Sequence, residues 1–187
     1  TLHSVTSLPP VGATPLLQVR GLRIAFGAHE VVHGIDFDLH AGQRLALVGE
    51  SGSGKSLTAL SLLGLAQGAR VSGQALWGGA QGADLLQNTE RQWQAVRGSD
   101  IAMVFQEPMT ALNPLFTIGR QITEVLQQKL GLAPAECAQR ATEMLAEVGI
   151  PEPARRLNAY PHQLSGGQRQ RAMIAMALAC KPKLLLA

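Results

Sequence analysis

Hydrophobic positions along the chain come in two textures. Up to about residue 105 they form short runs with period two or no period, separated by Gly-rich turns. Residues 16–26 (LLQVRGLRIAF) alternate as a strand does, and Val31–His40 reads as another. Arg44–Val48 is a short apolar run bounded by turn signals, which predicts a buried parallel strand. The pattern then predicts a helix from about Lys55 to Leu65, a hairpin over 68–88 with Val71–Trp77 as its strand, a short helix at Thr89–Arg97, and a second buried strand at Ile101–Phe105. From 117 to 159 the period becomes helical. Ile118, Ile122, Val125 and Leu126 share one face of Thr117–Lys129, and Ala138, Ala141, Leu145 and Val148 share one face of Pro134–Val148. Gly167–Ala179 is apolar nearly all round, which predicts a buried helix, and Lys183–Ala187 reads as a final buried strand. Residues 1–15 are polar and Pro-rich and read as a loose leader, with no secretory signal pattern.

Composition narrows the class. Of 187 residues, 46% are hydrophobic and 16% charged, enough apolar material for a core. The net charge of +3 comes with no basic block, so charge alone implies neither nucleic acid nor an anionic membrane. Cys137 and Cys180 lie far apart and outside any C-x-x-C pair, which argues against a disulfide scaffold or zinc site and for a reducing compartment. No apolar run approaches the roughly 18 residues that a membrane-spanning helix requires.

Chemistry concentrates between the strand ending at Val48 and the helix starting near Lys55. Gly49-Glu50-Ser51-Gly52-Ser53-Gly54-Lys55-Ser56 fits the phosphate-loop pattern G-x-x-x-x-G-K-S in the strand–loop–helix context that the motif requires. Glycines let the backbone curl so that N–H groups converge on an anion. Lys55 reaches the β and γ phosphates, and the Ser56 hydroxyl is a ligand for Mg²⁺. This loop implies a nucleoside triphosphate without specifying kinase, GTPase or motor. A second anion site is predicted at Leu164-Ser165-Gly166-Gly167-Gln168, where Ser165 is a plausible helix N-cap and two glycines expose backbone N–H groups. One nucleotide has little use for two such sites on one subunit, so the natural role of the second is to cap a phosphate held by another subunit.

The two motifs together resemble the ATP-binding cassette (ABC) ATPases. That resemblance implies an α/β fold: a P-loop NTPase core of the ABC type, an antiparallel β part and an inserted α-helical subdomain. It divides the chain into a flexible leader (1–15) and an ABC domain (16–187), the latter comprising a nucleotide-binding core (16–106), a helical subdomain (about 107–163) and the signature helix with the start of the Walker B strand (164–187). It places Phe26 as the aromatic that stacks on adenine and Gln106 as the glutamine that touches Mg²⁺ and the attacking water. Lys55 and Gln106 are the expected catalytic groups. Residues Gly49–Ser56 with Leu57, Phe26, Gln106 and Ser165, Gly166, Gly167 and Gln168 are the expected ATP contacts, and Ser56 and Gln106 the expected Mg²⁺ ligands. Leu57 departs from the family, where Ser or Thr commonly follows the GKS. The Walker B Asp, catalytic Glu and switch His are expected beyond Ala187, so the sequence reads as C-terminally incomplete, and the piece itself as inactive in hydrolysis.

Glu107–Pro114 and Tyr160-Pro161-His162-Gln163 resemble the peptide-importer branch (dipeptide, oligopeptide and nickel type). That branch implies coupling of ATP hydrolysis to uptake of peptides or related solutes. The implied partners are a second ATPase subunit, transmembrane permease subunits and, indirectly, an extracytoplasmic solute-binding protein, with no nucleic acid. The implied location is the cytoplasmic face of the bacterial inner membrane. Glu107 is expected on the face that meets the permease, His162 as a structural or interface residue, and Trp77, Trp93 and Tyr160 as packing residues. Three other readings stand beside this one: a soluble ABC-type ATPase acting on nucleic acid, a nucleotide-binding piece without hydrolysis, and a P-loop kinase or GTPase. The first of these is disfavoured because no heptads or Cys pairs lie between Lys55 and Ser165. The last does not account for the LSGGQ motif.

Overall fold

A computed structural model describes residues 3–6, 13–105 and 111–187. The chain forms two compact units, Thr1–Gln94 and Ala95–Ala187. The break falls before the strand at Ile101, which the sequence reading had grouped with the nucleotide-binding core.

The first unit is built on an antiparallel sheet. Its strands are β2 (Leu17–Phe26), β3 (His29–Leu39), β5 (Arg70–Trp77) and β6 (Ala83–Asp84), in the order β3-β2-β5-β6. Leu17, Val19, Leu22 and Ile24 of β2 are buried, as are Val32, Ala75, Leu62 and Leu63 of the same unit. The alternation slips at Ile24–Ala25 against β3 and around Arg20–Leu22, where the register against both neighbours shifts. Gly21 takes a left-handed φ of 56° there, and Gly73 across the sheet comes so close that a Cβ on it would lie 2.5 Å from the Gly21 carbonyl oxygen. Arg20 answers the bulge by pairing with Asp38 on β3: Nη2 donates to Oδ2 at 2.9 Å, and Nη1 lies 2.8 Å from Oδ1.

Two expectations change in this unit. The run before the phosphate loop, β4 (Leu45–Val48), is not a buried parallel strand. It pairs antiparallel with β1 (His3–Thr6), from Thr6 opposite Leu45 to His3 opposite Val48. Its residues are alternately half-buried and exposed, and Val48 is 52% exposed. Apolar content at both phases of a four-residue run leaves its burial to whichever neighbour pairs with it, and here the neighbour is one short strand. By the same observation the leader is not wholly loose, since β1 lies within it. Helix α1 (Lys55–Ser61) follows the loop, and α2 (Glu90–Val96) buries Trp93.

The second unit places helices around its own core. Helices α3 (Ile118–Leu130), α4 (Pro134–Glu147) and α6 (Gly166–Leu178) share a cluster that includes Ile118, Ile122, Leu126, Cys137, Ala141, Leu145, Ala172 and Ala175. The short helix α5 (Pro153–Arg156) links α4 to the signature region. The predicted face of α3 is the buried one. That of α4 is turned: Cys137 is buried and Ala138 exposed, because Cys137, Ala141, Met144 and Leu145 give the i, i+4, i+7, i+8 stripe with more apolar bulk. Helix α6 is not buried all round. Gln170 and Arg171 are exposed and Leu178 is 39% exposed, so its polar N-terminal half meets solvent. Strands β7 (Ile101–Met103) and β8 (Leu184–Leu186) pair in parallel, Ile101 beside Leu184, but β8 is not the buried strand its apolar run predicts: Leu184 is buried and Leu185 is 40% exposed, because side chains alternate across the strand and the run is apolar at both phases. The Asp100 carbonyl accepts from both Lys183 and Leu184 N–H and fixes that register.

Candidate functional site

The loop Gly49–Ser56 joins β4 to α1 as predicted, and its shape follows from its glycines. Gly52 has φ 79° and Gly54 φ 89°, both left-handed. Gly54 is the N-cap of α1 and supplies no side-chain cap, so the first-turn N–H groups are left to a ligand or solvent. A Cβ at Gly54 would lie 2.5 Å from Val32 Cγ2, so β3 presses against the loop and only glycine fits there. A Cβ at Gly52 would meet nothing within 4 Å, so that side of the loop is open. The Ser53 N–H donates to the Glu50 carbonyl at 3.2 Å, closing a turn. The Lys55 ammonium lies across the loop, donating to the carbonyls of Gly49 at 2.7 Å and Glu50 at 2.8 Å. Thr58 anchors the helix start through Oγ1 and N–H, both donating to the Gly54 carbonyl. Ser53 Oγ is buried and without a partner. A cation poised over an open, glycine-shaped turn with uncapped N–H groups fits a phosphate. Ser56 is exposed, so its hydroxyl is available, and Leu57 is half-buried.

The signature turn lies in the second unit and is a fully formed N-cap. Ser165 Oγ accepts from the Gln168 N–H at 3.3 Å, and Gln168 Oε1 accepts from the Ser165 N–H at 3.1 Å. Leu164 is buried beneath it, while Ser165, Gly166 and Gly167 are exposed with open space where side chains would be. Arg169 and Arg171 both donate to backbone carbonyls, Arg169 Nε to Leu164 and Arg171 Nη1 to Gly149. Arg169 ties the first turn of α6 to the residue before the cap, and Arg171 ties α6 to the end of α4, a contact that no local pattern in the sequence signals because Gly149 is 22 positions away.

Phe26 ends β2 and is 39% exposed, so it is not a core residue. Trp93 packs as expected. Tyr160 does not: it is 39% exposed and stacks on the exposed His162. Gln106 and Glu107–Thr110 lie outside the described residues. No group of His, Cys, Asp and Glu among the described residues is arranged to hold a metal ion. No described helix is long and apolar enough to cross a membrane.

A strand–loop–helix cradle of this sequence defines a phosphate-loop nucleotide-binding protein. Comparison with known proteins takes this a step further: the chain belongs to the ABC transporter family, whose model matches residues 32–187. Among curated proteins it is 56% identical to the peptidoglycan transport ATP-binding protein YejF of Agrobacterium fabrum, over 92% of this chain and 32% of that protein. It is 51% identical to the probable peptide ABC transporter ATP-binding protein y4tR of Sinorhizobium fredii, over 92% of this chain and 52% of that one. It is 43% identical to the oligopeptide transport ATP-binding protein OppD of Salmonella typhimurium, over 100% of this chain and 56% of that one. The chain thus spans between a third and a little over half of these relatives. A solved dimeric post-hydrolysis state of the ATP-binding cassette MJ0796, bound to ADP and Pi, is similar with a TM-score of 0.73 at 25% identity, over 90% of this chain and 72% of that chain.

Proposed function

We propose that the protein carrying this chain is the ATP-hydrolysing subunit of an importer for peptides or related solutes, working as a dimer against permease subunits at the cytoplasmic face of the bacterial membrane. The observation that carries this is the Lys55 ammonium set across the open Gly49–Ser56 loop. The names of the relatives, which transport peptidoglycan, peptides and oligopeptides, support the solute class.

In this reading the loop N–H groups and Lys55 hold the triphosphate, and Phe26 stacks on the adenine. The Ser56 hydroxyl, with Gln106 as a further ligand, would hold Mg²⁺, which would supply positive charge at the phosphates. Ser165, Gly166, Gly167 and Gln168 present a rigid, N–H-rich cap to the nucleotide of a second copy, and the dimer closes on ATP and reopens after hydrolysis. The solute-binding protein is an indirect partner.

The test is ATP hydrolysis by the full-length protein assembled with its membrane subunits. Wild type hydrolyses ATP, and Lys55→Ala loses at least about two orders of magnitude in rate, in line with removing one charge that stabilises a phosphoryl transition state. Equal rates in the two proteins contradict the reading.

A further inference from the structure

We infer that His29, which faces Phe26 across the β2–β3 hairpin, is a second binding residue for the base of the nucleotide, so that the base meets two rings and not one. This rests on the reading above, in which Phe26 stacks on adenine, and adds to it a residue that no motif in the sequence marks.

Phe26 and His29 are register partners at the end of the hairpin, joined by Gly27 and Ala28. Gly27 has φ 58° at the first of the two turn positions, where one type of tight hairpin turn calls for glycine. Directly opposed residues of an antiparallel pair share a face of the sheet, with Cβ atoms about 5 Å apart. That face leads back to the phosphate loop. Phe26 follows Ile24 by two positions, so it lies on the same face, about 7 Å further along the strand. Ile24 is opposite Val32, and Val32, with Val31, is what a Cβ on Gly54 would meet. Ile24 and Val32 are buried, whereas Phe26 and His29 are exposed. The face that forms core behind Gly54 therefore runs out past the loop and ends on two open rings.

A base is the occupant that fits these rings. Among the described residues of this unit Phe26 is the one exposed Phe, Tyr or Trp, so a base whose phosphates sit in the loop has no other ring of that kind to stack on. The imidazole of His29 has no hydrogen-bond or ion-pair partner among the described residues. The neighbouring Glu30 points to the opposite face, where Arg23 Nη1 lies 2.8 Å from its Oε1 and His33 Nδ1 lies 3.6 Å from its Oε2. That charged cluster is turned away, and the face beside the loop keeps the two rings alone at its end. A histidine ring stacks on a base as phenylalanine does, and its nitrogens add hydrogen-bonding capacity toward the base edge or the ribose. Stacking does not read base edges, so the pair serves ATP and GTP alike.

The experiment measures the affinity of the full-length protein for a non-hydrolysable ATP analogue and, by competition, for inorganic tripolyphosphate, which carries the phosphates and no base. His29→Ala is expected to weaken the analogue about fivefold, the lower end of what one stacked ring contributes, and to leave tripolyphosphate unchanged. His29→Phe keeps a ring and is expected to keep most of the affinity. The ratio between the two ligands is what a merely structural role does not move, because a displaced loop loses both alike. If Phe26→Ala weakens the analogue and His29→Ala does not, the proposal is overturned while the reading of Phe26 stands. If His29→Ala weakens both ligands equally, its effect passes through the loop and the proposal is overturned as well. If neither alanine variant changes the affinity for the analogue, the base lies elsewhere and the reading of Phe26 falls with the proposal.

Discussion

At the scale of single residues, the ion pair Arg20–Asp38 shows how local chemistry sets a measurable property. The Arg20 hydrogen bond, and after it a hydrogen bond from Gln18 and the nearby positive charge, holds the Asp38 carboxyl below the usual carboxylate range, against a desolvation effect of opposite sign. Such a group stabilises the fold above its unfolded pKa, about 4, and loses that contribution as pH falls through its lower folded value. Both side chains are more than a third exposed, so solvent screens the pair and the effect is small. Asp38→Asn is expected to unfold slightly earlier than wild type at pH 7, and the gap between the two melting curves to close as the pH is lowered below about 4. A gap that stays constant with pH means that the lost stability is packing and not the ion pair. The residues of the phosphate loop were legible in the sequence because a cradle for phosphate admits few residue types. The support for Gly54 was not: it comes from Val32, which is distant along the chain and whose β3 position carries no motif.

At the scale of elements, the signature turn has two properties that one substitution separates. Ser165 caps α6, and its hydroxyl also stands where a partner's phosphate is proposed to sit. Ser165→Ala removes the cap and is expected to cost about 1 kcal/mol of stability. Ser165→Asp keeps a good cap, because a carboxylate accepts the same N–H and favours the positive end of the helix. It also sets a negative charge against an incoming phosphate. The aspartate variant is therefore expected to melt near wild type while losing nucleotide-driven dimerisation, and a variant that melts normally and dimerises normally contradicts the proposed contact. Strong periodicity made the buried faces of α3 and most of α4 readable in advance. The failures came where the pattern was short or mixed. Four apolar residues at β4 do not encode which edge they pair with, and β1 pairs with them from a stretch whose Pro-rich composition suggested no strand. In α6 a high apolar content hid the exposed Gln170 and Arg171, which a count of hydrophobic residues averages away.

At the scale of the whole molecule, each unit has its own core, a sheet-based one behind the phosphate loop and a helical one behind the signature turn. The two-motif logic needed no structure, since each motif implies its own chemistry wherever the fold puts it. What the sequence did not reveal is that the strand at Ile101 belongs with the helical unit, because that pairing is to Leu184, far away along the chain. The central claim is that this chain holds nucleotide phosphates through Lys55 and the loop around it. The most direct measurement is a titration of ATP, without hydrolysis, into the full-length protein and its Lys55→Ala variant, with folding checked by circular dichroism. The charge that Lys55 supplies at the phosphates is worth about 1–4 kcal/mol in a site that excludes much of the water. The account predicts binding by wild type and a loss of several-fold to about a thousand-fold in the folded variant. Equal affinity of the two folded proteins for ATP would contradict it.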